Sequence, residues 1–341
     1  MSVRHLRRKL AGAVALILLA AGASSCASSG AATNADGTTT IRYQTYIGML
    51  NLPELADALG YLDDFKLDRV GDVQGGPEGL RAVATNQVDY AGAFNGAIAK
   101  VAATGVPVTA VISYYGSNDD VNFSFLVNDD SGIKEARDLI GKKVAVNTLG
   151  ANAEAVLDTY LEQGGLSADE IDKVTLVPLP STTSESSLRE GQVDAAFMGG
   201  TAREVALQRP GLKELFSDID VVGPYNGGSL VMRDDFIQKF PDVTKEFVSA
   251  LGKALDWANS HEPEEVRKVM ADYLTAHDRK DQADALALWK GTGVSTPGGA
   301  IQDQDFTLWL DWLEKAGEVD AGSIEPSEIY TNKFNSYAEE G

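Results

Sequence analysis

The sequence predicts an α/β protein of two βαβ-based lobes around a central cleft, and three observations carry that expectation. Strand-like and helix-like segments alternate through the first two-thirds of the chain, the pattern of parallel sheets with right-handed crossovers. The alternation also runs twice. Asn86-Gln87-Val88-Asp89-Tyr90-Ala91-Gly92-Ala93 is matched 105 residues later by Gly191-Gln192-Val193-Asp194-Ala195-Ala196-Phe197-Met198, and the strand-like Ile41 to Tyr46 is matched near the same offset by Val144 to Thr148. Finally, 341 residues with 44% apolar content suit about two packed domains.

At the N-terminus, Arg4, Arg7, Arg8 and Lys9 form a basic segment without an acid, followed by the 13-residue apolar run Leu10 to Gly22. This is the form of a secretory signal; at 1.5 Å per residue the run reaches about 20 Å, short of the roughly 30 Å needed to span a bilayer. Ala23-Ser24-Ser25-Cys26 resembles a bacterial lipobox, with Ala23 where Leu is usual. The expectation is a signal peptide over 1–25, a lipidated Cys26 and a flexible tether over 26–40, placing the protein outside the cytoplasm on a membrane anchor. Cys26 is the sole cysteine, so neither a disulfide framework nor a Cys-cluster zinc site can form within one chain.

Each repeat then offers strand, helix, strand, helix, strand. The first helix carries Leu52, Leu55, Ala56 and Leu59 at 3.6-residue spacing, and the second carries Ala153, Val156, Leu157, Tyr160 and Leu161. The next strands are Phe65 to Val73 and Lys173 to Pro178, and the last follow Gln-Val-Asp. These units predict a discontinuous lobe 1 (41–125 and 226–341) and a lobe 2 (126–225). The expected crossovers are Asn122 to Asn128 and Val221 to Arg233, with Gly223, Gly227 and Gly228 free to absorb rotation during closure. Beyond them, Val243, Phe247, Leu251, Ala254, Leu255 and Ala258 mark an amphipathic helix. Helical texture resumes from Pro263 to Trp289 and from Phe306 to Ala316, and Trp257, Trp289, Trp309 and Trp312 read as packing residues.

A formal charge of −21, deepening to −25 once the four signal cations are removed, repels nucleic acid. Beyond the signal the histidines are His261 and His277, with no metal-ligand spacing between them, and neither a G-x-S-x-G elbow nor a P-loop is present. No enzyme chemistry, metal or cofactor is expected. What recurs is a strand running into a short loop and a helix start, whose unpaired N–H groups favour an oxyanion. The candidate loops hold Gln44, Thr45, Tyr46 and Met49 after the first strand, Gly75, the pair Phe94 and Asn95, then Thr148, Gly150, Ala151 and Asn152, and finally Thr201. Arg203 could add a bidentate anion contact, and Tyr225 an aromatic wall.

Two further segments carry a family resemblance. SGIKEARDLIGKKVAVNTLGANAEAVLDTYLEQGGL (131–166) and VTLVPLPSTTSESSLREGQVDAAFMGG (174–200) resemble the solute-binding lipoproteins of ABC importers in the nitrate/sulfonate/taurine-binding group. The resemblance implies a periplasmic-binding-protein-like fold, a monomer that closes on a small solute, and delivery to an ABC permease. It also implies that the loops at Thr45–Met49, Gly75, Asn95, Thr148–Asn152 and Thr201 line the cleft. The expected ligand is a sulfonate, taurine or a nitrate-like oxyanion. Alternatives are a pyrimidine-type thiamine precursor, an exported enzyme on the same scaffold, or a sensor.

Overall fold

The computed structural model describes residues 32–46 and 48–338; the expected signal peptide, Cys26 and the start of the expected tether lie outside the described residues. The chain opens with β1 (Ala32–Thr33) and β2 (Thr39–Thr45), then continues through α1 (Leu52–Ala58), β3 (Phe65–Asp72), α2 (Gly76–Ala84), β4 (Tyr90–Phe94), α3 (Asn95–Ala103) and β5 (Val108–Ser117). A second run comprises β6 (Phe123–Asn128), β7 (Lys143–Val146), α4 (Asn152–Gln163), α5 (Ala168–Ile171), β8 (Thr175–Pro178), α6 (Ser181–Arg189), β9 (Ala195–Gly199), α7 (Gly200–Gln208), β10 (Leu212–Ser217) and α8 (Asp218–Val222). β11 (Tyr225–Arg233) leads to α9 (Asp234–Lys239), α10 (Pro241–Ser260), α11 (Pro263–Ala276), α12 (Lys280–Ala285), α13 (Gln304–Lys315) and α14 (Pro326–Ile329).

Strands β6 to β10 form one sheet in the order β10-β6-β9-β7-β8, called lobe 2 here together with its helices. The other strands make two three-stranded sheets, β1-β2-β3 and β4-β11-β5, in lobe 1. Strand β7 is parallel to β8 and β9, and β2 to β3, whereas β6 and β11 pair antiparallel with their neighbours.

The repeated Gln-Val-Asp has a mechanical role in both lobes. Asp89 donates its N–H to the Arg42 carbonyl at 2.9 Å, and its carboxylate accepts the Arg42 N–H at 2.8 Å. Asp194 makes the same two bonds to Lys143, both at 2.8 Å. Each Asp thus ties the last strand of its unit to the first, joining the two sheets of lobe 1 at β2 and β4. Ahead of each Asp, a turn residue adopts positive φ, Asn86 at 59° and Gly191 at 70°, and a valine is buried, Val88 and Val193.

Two expectations are corrected. The tether predicted to run to residue 40 already contains a hairpin, in which β1 pairs with the start of β2 around a turn closed by the Asn34 N–H donating to the Thr38 carbonyl at 2.7 Å. Asn34, Asp36 and Gly37 supply turn chemistry, and the β-branched run Thr38-Thr39-Thr40 extends the strand. The crossovers are also shorter than expected, since β6 lies wholly in the lobe 2 sheet and β11 wholly in lobe 1, so the chain passes between lobes only over 118–122 and 223–224. Gly223 has the left-handed φ of +73° that suits such a crossing. Gly227 and Gly228 instead sit within β11, where a Cβ would fall 2.7 and 2.1 Å from the Tyr115 ring; their role is to seat that ring.

The core continues across both lobes. One cluster joins Phe94 and Ile98 of lobe 1 to Val144, Val156 and Leu161 of lobe 2 through Trp309, Trp312 and Leu313 of α13. A second cluster packs α1, α10 and α11 beside the lobe 1 sheets, and a third packs α6 and α7 on the other face of the lobe 2 sheet. The helical texture expected from Pro263 to Trp289 is divided, with α11 ending at Ala276 and α12 at Ala285.

Candidate functional site

Strands β2, β3, β4, β7, β8 and β9 each run forward into α1, α2, α3, α4, α6 or α7, so the helix starts gather at the carboxyl ends of the strands. Only α1 among these six receives a side-chain cap, from Asn51 to the Glu54 N–H at 3.1 Å. The caps of α2, α3, α4, α6 and α7 are Gly75, Phe94, Ala151, Pro180 and Gly199, none of which makes a side-chain cap bond. Helix starts of this kind carry partial positive charge and unpaired donors. Two acids answer loop donors just ahead of them: Glu78 accepts the Gln74 N–H at 3.0 Å, and Glu154 the Gly150 N–H at 2.7 Å.

The loops of the two lobes meet. A Cβ built on Gly75 would lie 2.9 Å from Thr148 Cγ2, and one on Gly200 would lie 3.9 Å from the Gly48 carbonyl oxygen. An ion pair, Lys290 Nζ to Glu204 Oε2 at 2.7 Å, crosses from the segment after α12 to α7. The cleft between lobes is therefore narrow in this structure.

Among the described residues, four buried side-chain polar atoms have no hydrogen-bond partner within the protein, and three belong to expected site residues: Gln44 Oε1, Asn152 Nδ2 and Thr201 Oγ1. Gln44 is the penultimate residue of β2, which runs into the loop that holds Gly48. Thr201 follows Gly200, and Asn152 lies four residues past Thr148. The unpaired groups thus come from loops that touch across the cleft, and unpaired buried polar groups are costly unless something satisfies them. Gln44, Tyr46 and Met49 also line a small pocket, partly open to solvent, whose walls include Asn51, Tyr90, Gly92, Tyr114 and Leu230. Behind the same loop, Thr45, Tyr46, Met49 and Asn51 border a second small pocket against Arg279 and Met270. Asn51, Tyr90 and Leu230 were missed in the sequence. Asn51 was legible as an N-cap, whereas Tyr90 and Leu230 read only as strand residues.

Other expected residues are committed within the protein. Asn95 is fully buried; its amide donates to the carbonyls of Asn226 and Asp305 at 3.1 and 3.2 Å and accepts from Ser229 Oγ at 2.8 Å. Phe94 packs edge-on against Trp309. The Thr45 hydroxyl donates to Asp72 at 2.6 Å and accepts from Arg69. Arg203 spends its guanidinium on Ser124 Oγ (2.6 Å), Glu204 (2.8 Å) and Glu214 (2.6 Å), since an acid-rich surface supplies nearer anions than a ligand could. The Tyr46 hydroxyl donates to the Gly92 carbonyl at 2.7 Å, and burial, with Glu78 adding to it, raises its pKa and keeps it neutral. Gly150 has φ +68°, which places its N–H toward Glu154, and Ala151 is the buried start of α4.

The crossing between lobes is organised by Asp218. Its fully buried carboxylate accepts from Ser117 Oγ at 2.6 Å, Tyr225 Oη at 2.8 Å, and the Phe123 and Ile219 N–H groups at 3.1 and 2.9 Å. Ser117, Phe123 and Tyr225 end β5, begin β6 and begin β11, so one carboxylate holds both crossovers. Burial raises the Asp218 pKa even against these donors. The Tyr225 hydroxyl also lies 3.0 Å from the Asn152 amide, which links the crossing to the start of α4. At the back of the lobes, Trp312 Nε1 of α13 donates to Asp158 of α4 at 3.1 Å.

This arrangement defines a bilobed α/β scaffold with two sets of helix starts at the gap between its lobes. Solved structures share it. The alkanesulfonate-binding protein SsuA from Xanthomonas axonopodis pv. citri bound to MOPS has a TM-score of 0.66 and 18% identity over 86% of this chain and 98% of its own. The desulfurization enzyme DSZB has a TM-score of 0.59 and 17% identity over 86% and 97%. The fold is the periplasmic-binding-protein fold. In sequence, residues 55–266 match the family model described as NMT1/THI5 like, and the chain belongs to that family. A Bacillus subtilis (strain 168) protein, named as a candidate aliphatic sulfonates-binding protein, is 26% identical over 191 residues. That match covers 56% of this chain and 55%, about half, of the relative.

Proposed function

We propose that this chain is the solute-binding component of an ABC importer, in which lobe 1 (41–125 and 226–341) and lobe 2 (126–225) close on a small organic oxyanion such as a sulfonate, taurine or a nitrate-like anion. Gln44, Asn152 and Thr201 carry this reading: each presents an unpaired buried polar atom from loops that meet between the lobes. Helix starts without side-chain caps supply the partial positive charge, and they act locally, so the net charge of −21 does not forbid an anion. The sulfonate-binding relatives in sequence and fold support the ligand class. The closed receptor then docks on a membrane permease, and Cys26 holds it to the extracytoplasmic face of the membrane.

A thermal-shift panel of sulfonates, taurine, nitrate and pyrimidines tests the reading. A solute at 100 times its Kd stabilises the folded state by about 2.7 kcal/mol. A panel with no shift removes the receptor reading. The fold also hosts enzymes, as DSZB shows, so consumption of the shifting solute at constant protein would replace a receptor with a catalyst. For the anchor, Cys26→Ser is expected to release the protein from the membrane fraction, and retention of the variant would refute lipidation at that site.

A further inference from the structure

The ion pair that joins the lobes is built differently at its two ends. In lobe 2, Glu204 of α7 is largely covered; its Oε1 accepts from Arg203 Nη1 at 2.8 Å and its Oε2 faces Lys290 Nζ at 2.7 Å. Arg203 also serves Glu214, through Nη2 at 2.6 Å. Lobe 2 by itself thus sets two carboxylates on one guanidinium, which leaves one negative charge in excess. Lys290, from lobe 1, supplies the matching positive charge.

On the lobe 1 side, the neighbours of Lys290 are fixed. Trp289 is buried, and its carbonyl accepts from Arg267 at 2.8 Å. The Thr292 carbonyl takes the Gly116 N–H at 2.9 Å, and the Thr292 hydroxyl donates to Asn259 at 2.7 Å. Gly293, at φ +71°, lies so close to the end of β5 that a Cβ would fall 2.1 Å from the Gly116 carbonyl oxygen. Between these anchors, a Cβ on Gly291 would lie 3.1 Å from Cγ2 of Val121 in the first crossing. The segment 289–293 is therefore a strap bound to lobe 1, lying against the crossing and presenting one half-exposed lysine to lobe 2.

Resting on the receptor reading, we infer that Lys290 and Glu204 form a closure latch: the pair is made when the lobes meet, is broken when they part, and adds to solute affinity without touching the solute. A contact present only in the closed form raises affinity by its free energy in that form. The backbone is already ordered at both ends, so making the pair costs little beyond the freedom of the lysine side chain. Parting the lobes leaves Glu204 with Arg203 alone and restores the excess negative charge of the lobe 2 cluster. Lys290 is thus a positioning residue, acting through α7, whose start lies beside Gly48 of lobe 1. An ion pair open to solvent at one end changes affinity by about two- to fivefold.

The test is isothermal titration with the tightest sulfonate of the panel, at about 50 mM and about 500 mM NaCl, on the wild type, Lys290→Met, Lys290→Arg, Glu204→Gln and the Lys290→Met/Glu204→Gln double variant. Methionine keeps the apolar stem and removes the charge. At low salt Lys290→Met and Glu204→Gln should each bind about two- to fivefold more weakly, and the double variant no more weakly than the poorer of the two. Lys290→Arg should keep the wild-type affinity, and high salt should bring the wild type and Lys290→Met together. Wild-type affinity in Lys290→Met at low salt, losses that add in the double variant, or a difference that high salt leaves unchanged overturns the latch and leaves the receptor reading standing. If no sulfonate binds the wild type, the sulfonate reading fails on its own and the latch is read without ligand. At low salt Lys290→Met should then show a larger radius of gyration by small-angle X-ray scattering than the wild type, and equal radii overturn the latch.

Discussion

Gly75 tests whether the lobes close as a unit. Its φ of −166° is extended backbone that any residue adopts, so replacing it does not strain the chain locally. The constraint comes from the other lobe. A Cβ at Gly75 would lie 2.9 Å from Thr148 Cγ2, 3.1 Å from its Cβ and 3.4 Å from its Oγ1. Carbon atoms pack best at about 3.5–4.0 Å, so Gly75→Ala overlaps Thr148 by roughly 0.6–1.1 Å. Thr148 is β-branched and stiff at χ1, which leaves little room for a local escape. Overpacking of this size costs about 1–3 kcal/mol. In a receptor that opens by hinge motion the contact is relieved in the open form, so the cost falls on the closed, ligand-bound form alone. The expected consequence is about a 5- to 150-fold loss of affinity with an unchanged melting temperature of the ligand-free protein.

The assay is isothermal titration with the tightest sulfonate of the panel, on the wild type, Gly75→Ala, Thr148→Ser and the double variant. Serine keeps the hydroxyl and deletes only Cγ2, so the double variant should recover most of the affinity that Gly75→Ala loses. Wild-type affinity in Gly75→Ala, or a loss that Thr148→Ser leaves untouched, would refute closure through this contact. A fall in ligand-free melting temperature would show that the loops stay together in the absence of ligand.

Two further predictions concern the half-buried Asp158 and the buried Asp218. Burial lifts the pKa of Asp158 from an ordinary 3.8 to about 6, opposed by the Trp312 bond and assisted by Glu154, Glu162 and Asp172. Between about pH 4 and 6 the folded chain therefore binds more protons at this group than the unfolded chain, so its contribution to stability grows as pH falls and is lost as pH rises. Asp158→Asn keeps an acceptor for Trp312 and removes the buried charge; it should stabilise the protein at pH 7 by on the order of 2 kcal/mol and by nothing near pH 4. A difference in urea-unfolding free energy that is constant across that range would rule out the titration. Asp218→Asn turns one acceptor of four donors into an N–H₂ group, at a cost of about 3–5 kcal/mol by urea denaturation. A loss below 1 kcal/mol would mean that the crossovers do not depend on that carboxylate.

How far the sequence could be read follows from the range of the interactions involved. The duplication was legible because Gln-Val-Asp does the same local work twice, burying a valine and tying Arg42 or Lys143 to the last strand of its own unit. Strand and helix periods placed the loops near the cleft for the same reason. Whether a loop residue faces the cleft depends on partners far along the chain. Asn95 is held by Asn226, Ser229 and Asp305, more than 130 residues away in each case, and Arg203 by Ser124, 79 residues away. No local pattern separates these from Gln44 or Asn152. The hairpin over 32–40 was hidden differently, because a run of small polar residues resembles a linker until its threonines find the edge of β3 through β2.

The distribution of charge links the scaffold to the ligand. Three cations stand near the cleft, and each is neutralised by the protein's own acids: Arg203 by Glu204 and Glu214, Lys290 by Glu204, and Arg279 by Glu54. The buried Glu54 also accepts from Tyr43 Oη at 2.6 Å, so the Arg279 pair holds α1 to the start of α12 rather than facing a solute. The electrostatic attraction left for an anion is that of peptide N–H groups at the helix starts, whose direction is fixed by the fold. A point-charge site would accept any anion small enough to enter. Oriented dipoles at loops that meet between the lobes instead favour an anion held along the helix axes, so on the proposed receptor reading selectivity belongs to the closed form. On that reading the contacts that narrow the cleft, Gly75 on Thr148 and Gly200 beside Gly48, bear on which ligand is recognised as well as on whether the lobes meet.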